Sequence, residues 1–148
     1  MDDNVLLNPA VFAVDDDVFT AHLGARGTFA DDRPRLFLNV GKELLLTATQ
    51  HNTQPPHSRQ FYISLIPNIE SGTHQIPGPT VKAFVYQERH REAPPGKEWM
   101  AFSAASGQLT LTWDRKRKRF KATCAFIASN LEKLSFSGTA AIDVFYSQ

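Results

Sequence analysis

Five cations stand side by side at Arg115, Lys116, Arg117, Lys118 and Arg119, the densest charge in the chain. Adjacent lysines and arginines neutralise phosphates and release counterions, so the run is a candidate for binding a polyanion, whether nucleic acid or an anionic surface. The same run separates two stretches of alternating apolar and polar residues. A solvated hairpin tip needs charged residues at such a place, and they also guard sheet edges against pairing with other chains. Trp113 and Phe120 flank the run in phase with the apolar face, so they give it no stacking platform. The hairpin reading is preferred, nucleic acid is not the expected partner, and polyanion binding through 115–119 is kept as an alternative.

Residues suited to catalysis are few. The one cysteine, Cys124, falls on the apolar side of an alternating run, where a thiol is buried and inert. A single cysteine excludes an intramolecular disulfide and a cysteine zinc site, and it favours a reducing compartment. Gly-x-Ser-x-Gly and glycine-rich phosphate loops are absent. Glu88 and Glu92 come nearest to a carboxylate pair, but in a segment read as a loop they would lack the rigid support that acid–base work needs. His22, His51, His57, His74 and His90 show no His-x-His or His-x-x-x-His spacing, and nothing makes them converge. Asp15–Asp17 and Asp31–Asp32 offer oxygen ligands for calcium, but turn chemistry explains them as well. The expectation is a protein that is not an enzyme, with no catalytic residues, no metal and no cofactor.

Recognition is what remains. Tyr62, Tyr86 and Trp99 lie in strands bordering three long segments read as loops, 50–60, 67–79 and 87–97. Aromatic side chains there offer stacking surfaces, and long loops on a rigid β scaffold commonly carry binding. The expected function is a binding or interaction module that recognises a protein, peptide or glycan, with an exposed strand edge able to make a homo-oligomer, such as a homodimer. A barrel carrying a small apolar ligand is a further alternative.

The elements that must position these residues are strands. In Ser106–Asp114 the residues Leu109, Leu111 and Trp113 alternate with Gln108, Thr110 and Thr112. The alternation resumes through Phe120, Ala122, Cys124, Phe126 and Ala128, and again through Leu134, Phe136, Gly138, Ala140, Ile142, Val144 and Tyr146. A period of two buries one face of a strand, so the last forty or so residues read as an antiparallel meander. Upstream, strands are expected over Val11–Val14, Asp17–Leu23, Arg35–Val40, Glu43–Thr49, Phe61–Ile66, Thr73–Ile76, Val81–Tyr86 and Trp99–Ser103. The pair Gly41-Lys42 is read as a two-residue type II′ hairpin turn. No window shows a helical period. Nine or ten strands at this spacing fit an all-β antiparallel sandwich, with a closed lipocalin-like barrel as the alternative. Bulky inward residues, including many of the 11 phenylalanines, favour two facing sheets.

Bulk composition sets only wide bounds. The 148 residues carry a formal charge of +1, with 42% apolar and 21% charged residues, as in ordinary globular proteins. One β domain spanning 1–148 is expected, large enough to bury roughly 70% of its unfolded surface. The first residues lack the basic and apolar regions of a signal peptide, so a cytoplasmic location is expected, although a chain whose signal had been removed would read alike. No stretch approaches the ~18 apolar residues of a membrane-spanning helix.

Three motifs carry a resemblance: Ser106-Gly-Gln-Leu-Thr-Leu111, Arg119-Phe-Lys-Ala-Thr-Cys-Ala-Phe126 and the closing Gly138 strand after Phe136. Together with Ser71-Gly-Thr-His74 they resemble bacterial β-domains of no established activity. In those domains a Gly-Thr-Tyr turn precedes Ser-Gly-x-Leu-x-Leu, Arg-Phe-x-Gly-Thr-Phe-x-Phe and Gly-x-Phe strands. His74 and Ala122 depart from the pattern, which has Tyr and Gly there. The resemblance implies an all-β fold and no particular chemistry.

Overall fold

The computed structural model describes residues 16–147, so the expected strand at Val11–Val14 lies outside the described residues. Ten strands follow in order: β1 (Val18–His22), β2 (Thr28–Asp31), β3 (Arg35–Leu38), β4 (Leu44–His51), β5 (Ser58–Leu65), β6 (Gly72–Gln75), β7 (Val81–Arg89), β8 (Trp99–Asp114), β9 (Arg119–Ser129) and β10 (Ser135–Ser147). One short 3-10 turn, Gly24–Arg26, joins β1 to β2. The C-terminal meander is as the alternation requires. Leu109, Leu111, Phe120, Phe126, Phe136 and Ile142 are all buried, and so are Phe19 and Ala21 of β1 and Leu23 just after it.

Seven strands close into a barrel in the order β9-β8-β7-β5-β4-β3-β10, with β10 pairing back onto β9. The fold is therefore all-β in its closed-barrel form. The closure depends on a short parallel contact, Tyr146 with Leu36 and Ser147 with Phe37. β1 pairs with Thr139–Asp143 on that same edge of β10 and carries β2 on its far side. β6 pairs with the second half of β8, and β7 pairs with the first half.

The bulky inward residues that favoured facing sheets fill the barrel instead. Phe61 packs against Phe19, Phe29, Phe84, Tyr86 and Phe126 at centroid separations of 4.8–6.3 Å, mostly tilted or edge-on. Phe136 meets Tyr86, Phe102 and Phe126 on the other side. Space for Phe126 comes from Gly138 on β10, where a Cβ would stand 2.6 Å from the Phe126 ring.

The hairpins use one device repeatedly. Lys42, Lys118 and Lys133 have positive φ (65°, 56° and 67°), and each turn is opened by an Asn or Asp. Asn39 accepts from Glu43 N–H, Asp114 from Arg117 N–H, and Asn130 from Glu132 and Leu134 N–H. The β3–β4 link is thus a three-residue loop closed by Asn39 N–H to Glu43 O, not the expected two-residue turn. Lys42, rather than Gly41, takes the left-handed position, as in a type I turn followed by a bulge. The Asx side chain supplies the turn that glycine was expected to supply.

Candidate functional site

The wall made by β4, β5, β7 and β8 turns three rows of side chains outward. Register and alternation place His51, Ser58, Arg89 and Trp99 in one row, Thr49, Gln60, Gln87 and Ala101 in the next, and Thr47, Tyr62, Val85 and Ser103 in the third. Tyr62 is 40% exposed and Trp99 is 47% exposed, so both rings present a face to solvent. They stand two strands and two rows apart, a diagonal of roughly 16 Å from standard sheet spacings. Gln87 Nε2 donates to Gln60 Oε1 at 2.7 Å, which fixes both amides and leaves further donors and acceptors outward. Tyr62, Val85, these glutamines, Thr47 and Thr49 line a shallow cleft of about 280 Å³.

Tyr86 has a different position. Its side chain is wholly buried in the core, so it offers no surface to a ligand. Its hydroxyl donates to Glu88 Oε2 at 2.8 Å, and burial followed by the neighbouring carboxylate pushes its pKa far up. The segment 87–97 is likewise not all loop, since β7 runs on to Arg89. The segment 50–60 is strand at both ends, through β4 and β5.

Glu88, expected in a mobile loop, is an inward residue of β7 and only 2% exposed. Arg26 Nε and Nη2 donate to Glu88 Oε2 and Oε1, each at 2.7 Å. His90 Nε2 lies 3.0 Å from Glu88 Oε1. Burial opposes ionisation, but the hydrogen bonds from Arg26, His90 and Tyr86 outweigh it and pull the Glu88 pKa down to about 2. Arg59, also inward, donates to the carbonyls of Arg26 and Thr28 at 2.6 Å each. Arg26 and Arg59 thus fasten the 3-10 turn to the barrel, and Arg26 also lies over the Phe102 ring. The two Glu88 oxygens are taken up by the Arg26 guanidinium, the His90 ring and the Tyr86 hydroxyl, which leaves no lone pair aimed at a substrate. Glu92 is 83% exposed and 4.0 Å from His57, so the two acids do not form a pair.

The basic run is divided by the fold. Arg119 is buried and bound to Asp17 at 2.8 Å and Asp143 at 2.7 Å. Arg115 donates to the Ile69 carbonyl and lies over Trp113. Lys116, Arg117 and Lys118 form the exposed tip. Among the described residues no group of three or more His, Cys, Asp or Glu could hold a metal ion. His51 bonds Ser58, while His74 bonds Thr80 and the Glu70 carbonyl. Asp31 bonds the Arg33 and Thr49 N–H groups, tying its turn to β4. Cys124 is buried on β9, and desolvation pushes its thiol pKa up to about 12.

Sequence reasoning missed Gln60, Gln87 and Arg89 as neighbours of Tyr62 and Trp99. Extending the alternation of Phe84 and Tyr86 by one more step would have placed Gln87 and Arg89 outward and Glu88 inward. No helix is long and apolar enough to cross a membrane among the described residues. No protein-family model, curated protein or solved structure matches the chain.

Proposed function

We propose that the chain is a non-enzymatic binding module that takes a glycan along the outer wall of its barrel. One observation carries this reading: two solvent-facing rings, Tyr62 and Trp99, share an outward face with a fixed glutamine pair between them. Sugars present apolar C–H faces and a rim of hydroxyls. An exposed ring suits the first, while amides and threonine hydroxyls suit the second. A peptide fits this wall less well. β4, β5, β7 and β8 are already hydrogen-bonded to one another, so an incoming strand finds no free edge there. The packed rings inside the barrel weigh against a carrier of small apolar ligands.

The test is calorimetric titration of the chain against a panel of soluble polysaccharides. Tyr62→Ala and Trp99→Ala should each weaken binding roughly tenfold, the scale of one lost aromatic contact. Glycan binding that is indifferent to both substitutions sinks the reading.

A further inference from the structure

We propose that the glycan is acidic and that Arg89 meets its carboxylate or sulfate; this inference rests on the glycan reading above. Arg89 is the cross-strand partner of Trp99 on one side and of Ser58 on the other, so its side chain leaves the same wall as both aromatic rings. It is half-buried, and among the described residues no carboxylate pairs with it. The nearby acids are turned elsewhere. Glu88 points into the barrel, Glu92 lies beside His57, and Glu98 accepts from Gly96 N–H at 2.8 Å.

The other arginines that are at least partly buried are occupied: Arg26 and Arg119 hold carboxylates, and Arg59 holds main-chain carbonyls. Even the exposed Arg115 and Arg35 are engaged, with the Ile69 carbonyl and the Phe37 ring. Arg89 is a guanidinium set beside an exposed indole, with its fork unused among the described residues. A guanidinium matches a carboxylate or sulfate with two parallel hydrogen bonds, and it is less strongly hydrated than an ammonium. The wall is therefore graded. Neutral hydroxyls are served at the Tyr62 end by Thr47, Thr49, Gln60 and Gln87, and a negative group at the Trp99 end by Arg89. A sugar ring lying on Trp99 brings an exocyclic carboxylate or sulfate toward the neighbouring strand, where Arg89 stands.

The experiment titrates the full chain with hexagalacturonate, its fully methyl-esterified neutral counterpart, a sulfated dextran oligosaccharide and a panel of neutral polysaccharides. An acidic probe, uronate or sulfate, should bind about tenfold or more tightly than the neutral ones, as a charge-assisted hydrogen bond allows. Whichever of the two acidic probes shows the gap identifies the anion. Arg89→Gln should abolish the gap, Arg89→Lys should keep part of it, and Tyr62→Ala should weaken charged and neutral ligands alike. An unchanged thermal midpoint in Arg89→Gln separates lost recognition from lost folding; if that variant does not fold, the Arg89→Lys titration decides. Binding of both acidic probes no tighter than that of the neutral ones overturns the inference and leaves the glycan reading standing. Acid binding that survives Arg89→Gln but vanishes when Lys116, Arg117 and Lys118 are changed to serine also overturns it. Silence from every probe overturns both.

Discussion

Glu88 and Arg26 form a two-pronged pair across 62 positions of sequence, Nε to Oε2 and Nη2 to Oε1, each at 2.7 Å. The pair pins the turn between β1 and β2 to the inner face of β7. Removing one partner strands a buried charge, which typically costs about 3–5 kcal/mol. Glu88→Gln should therefore lower the thermal midpoint by on the order of 10 °C. The pH dependence has a definite sign. The folded-state pKa, about 2, lies below the ordinary value of 4.5, so the stabilisation is complete above 4.5 and is lost as pH falls toward 2. Shifted by that much, one carboxylate contributes about 3 kcal/mol. Urea denaturation between pH 7 and pH 2 should show a steep acid limb in the native chain and a flatter one in Glu88→Gln. Equal limbs would mean that other groups govern acid unfolding.

Gly138 is a packing residue, because a Cβ there would stand 2.6 Å from Phe126 Cζ. Phe126 has little room to retreat, with the Phe61, Phe84 and Phe136 rings 4.7–6.3 Å from its own. Gly138→Ala should cost about 1–3 kcal/mol, as overpacking generally does. In a Phe126→Leu background the same alanine should cost less, since the blocking atoms are gone. A double-mutant cycle by denaturant titration measures that coupling, and strict additivity would place the strain elsewhere.

The meander β8–β10 was legible because its period of two runs almost unbroken from Leu109 to Val144 and only one face of it is buried. Closure was not legible. It rests on two parallel pairs, Tyr146 with Leu36 and Ser147 with Phe37, and so brief a contact leaves no pattern in composition. The same Phe-rich inward rows suit facing sheets and a filled barrel equally well. At the binding wall, Tyr62 and Trp99 could be picked out as aromatics near polar segments, but so could Tyr86, which the core takes. Phase separates them: Tyr86 is in step with Phe84, whereas Tyr62 is out of step with Phe61 and Ile63. Glu88 was hidden by its charged neighbours, and its partner Arg26 lies too far away in sequence for spacing to suggest it.

The basic run should divide in two under mutation. Arg119 holds Asp17 and Asp143, so Arg119→Ala leaves two acids close together without their shared cation and should cost about 2 kcal/mol. Changing Lys116 and Arg117 to serine removes exposed charge only and should alter stability by less than about 0.5 kcal/mol. Thermal melts of the two variants test this division. If the tip variant melts as low as Arg119→Ala, the turn contributes contacts beyond those described.

Trp99 and Trp113 are the chain's two tryptophans, and their surroundings differ. Trp113 packs edge-on to Phe120 at 5.4 Å and Tyr146 at 5.7 Å, whereas Trp99 is 47% exposed. Trp113→Phe keeps an aromatic ring among those neighbours and leaves Trp99 as the sole indole. Its emission should be red-shifted and readily quenched by acrylamide, because water reaches the ring. A ligand seated on the β4–β5–β7–β8 wall displaces that water, so binding should shift the emission to the blue and protect it from quenching. Tyr62→Ala in the same background should weaken the titration without changing the unliganded spectrum, since Tyr62 and Trp99 stand roughly 16 Å apart by sheet spacing. A spectrum unchanged by a ligand that calorimetry shows to be bound would move the site away from Trp99.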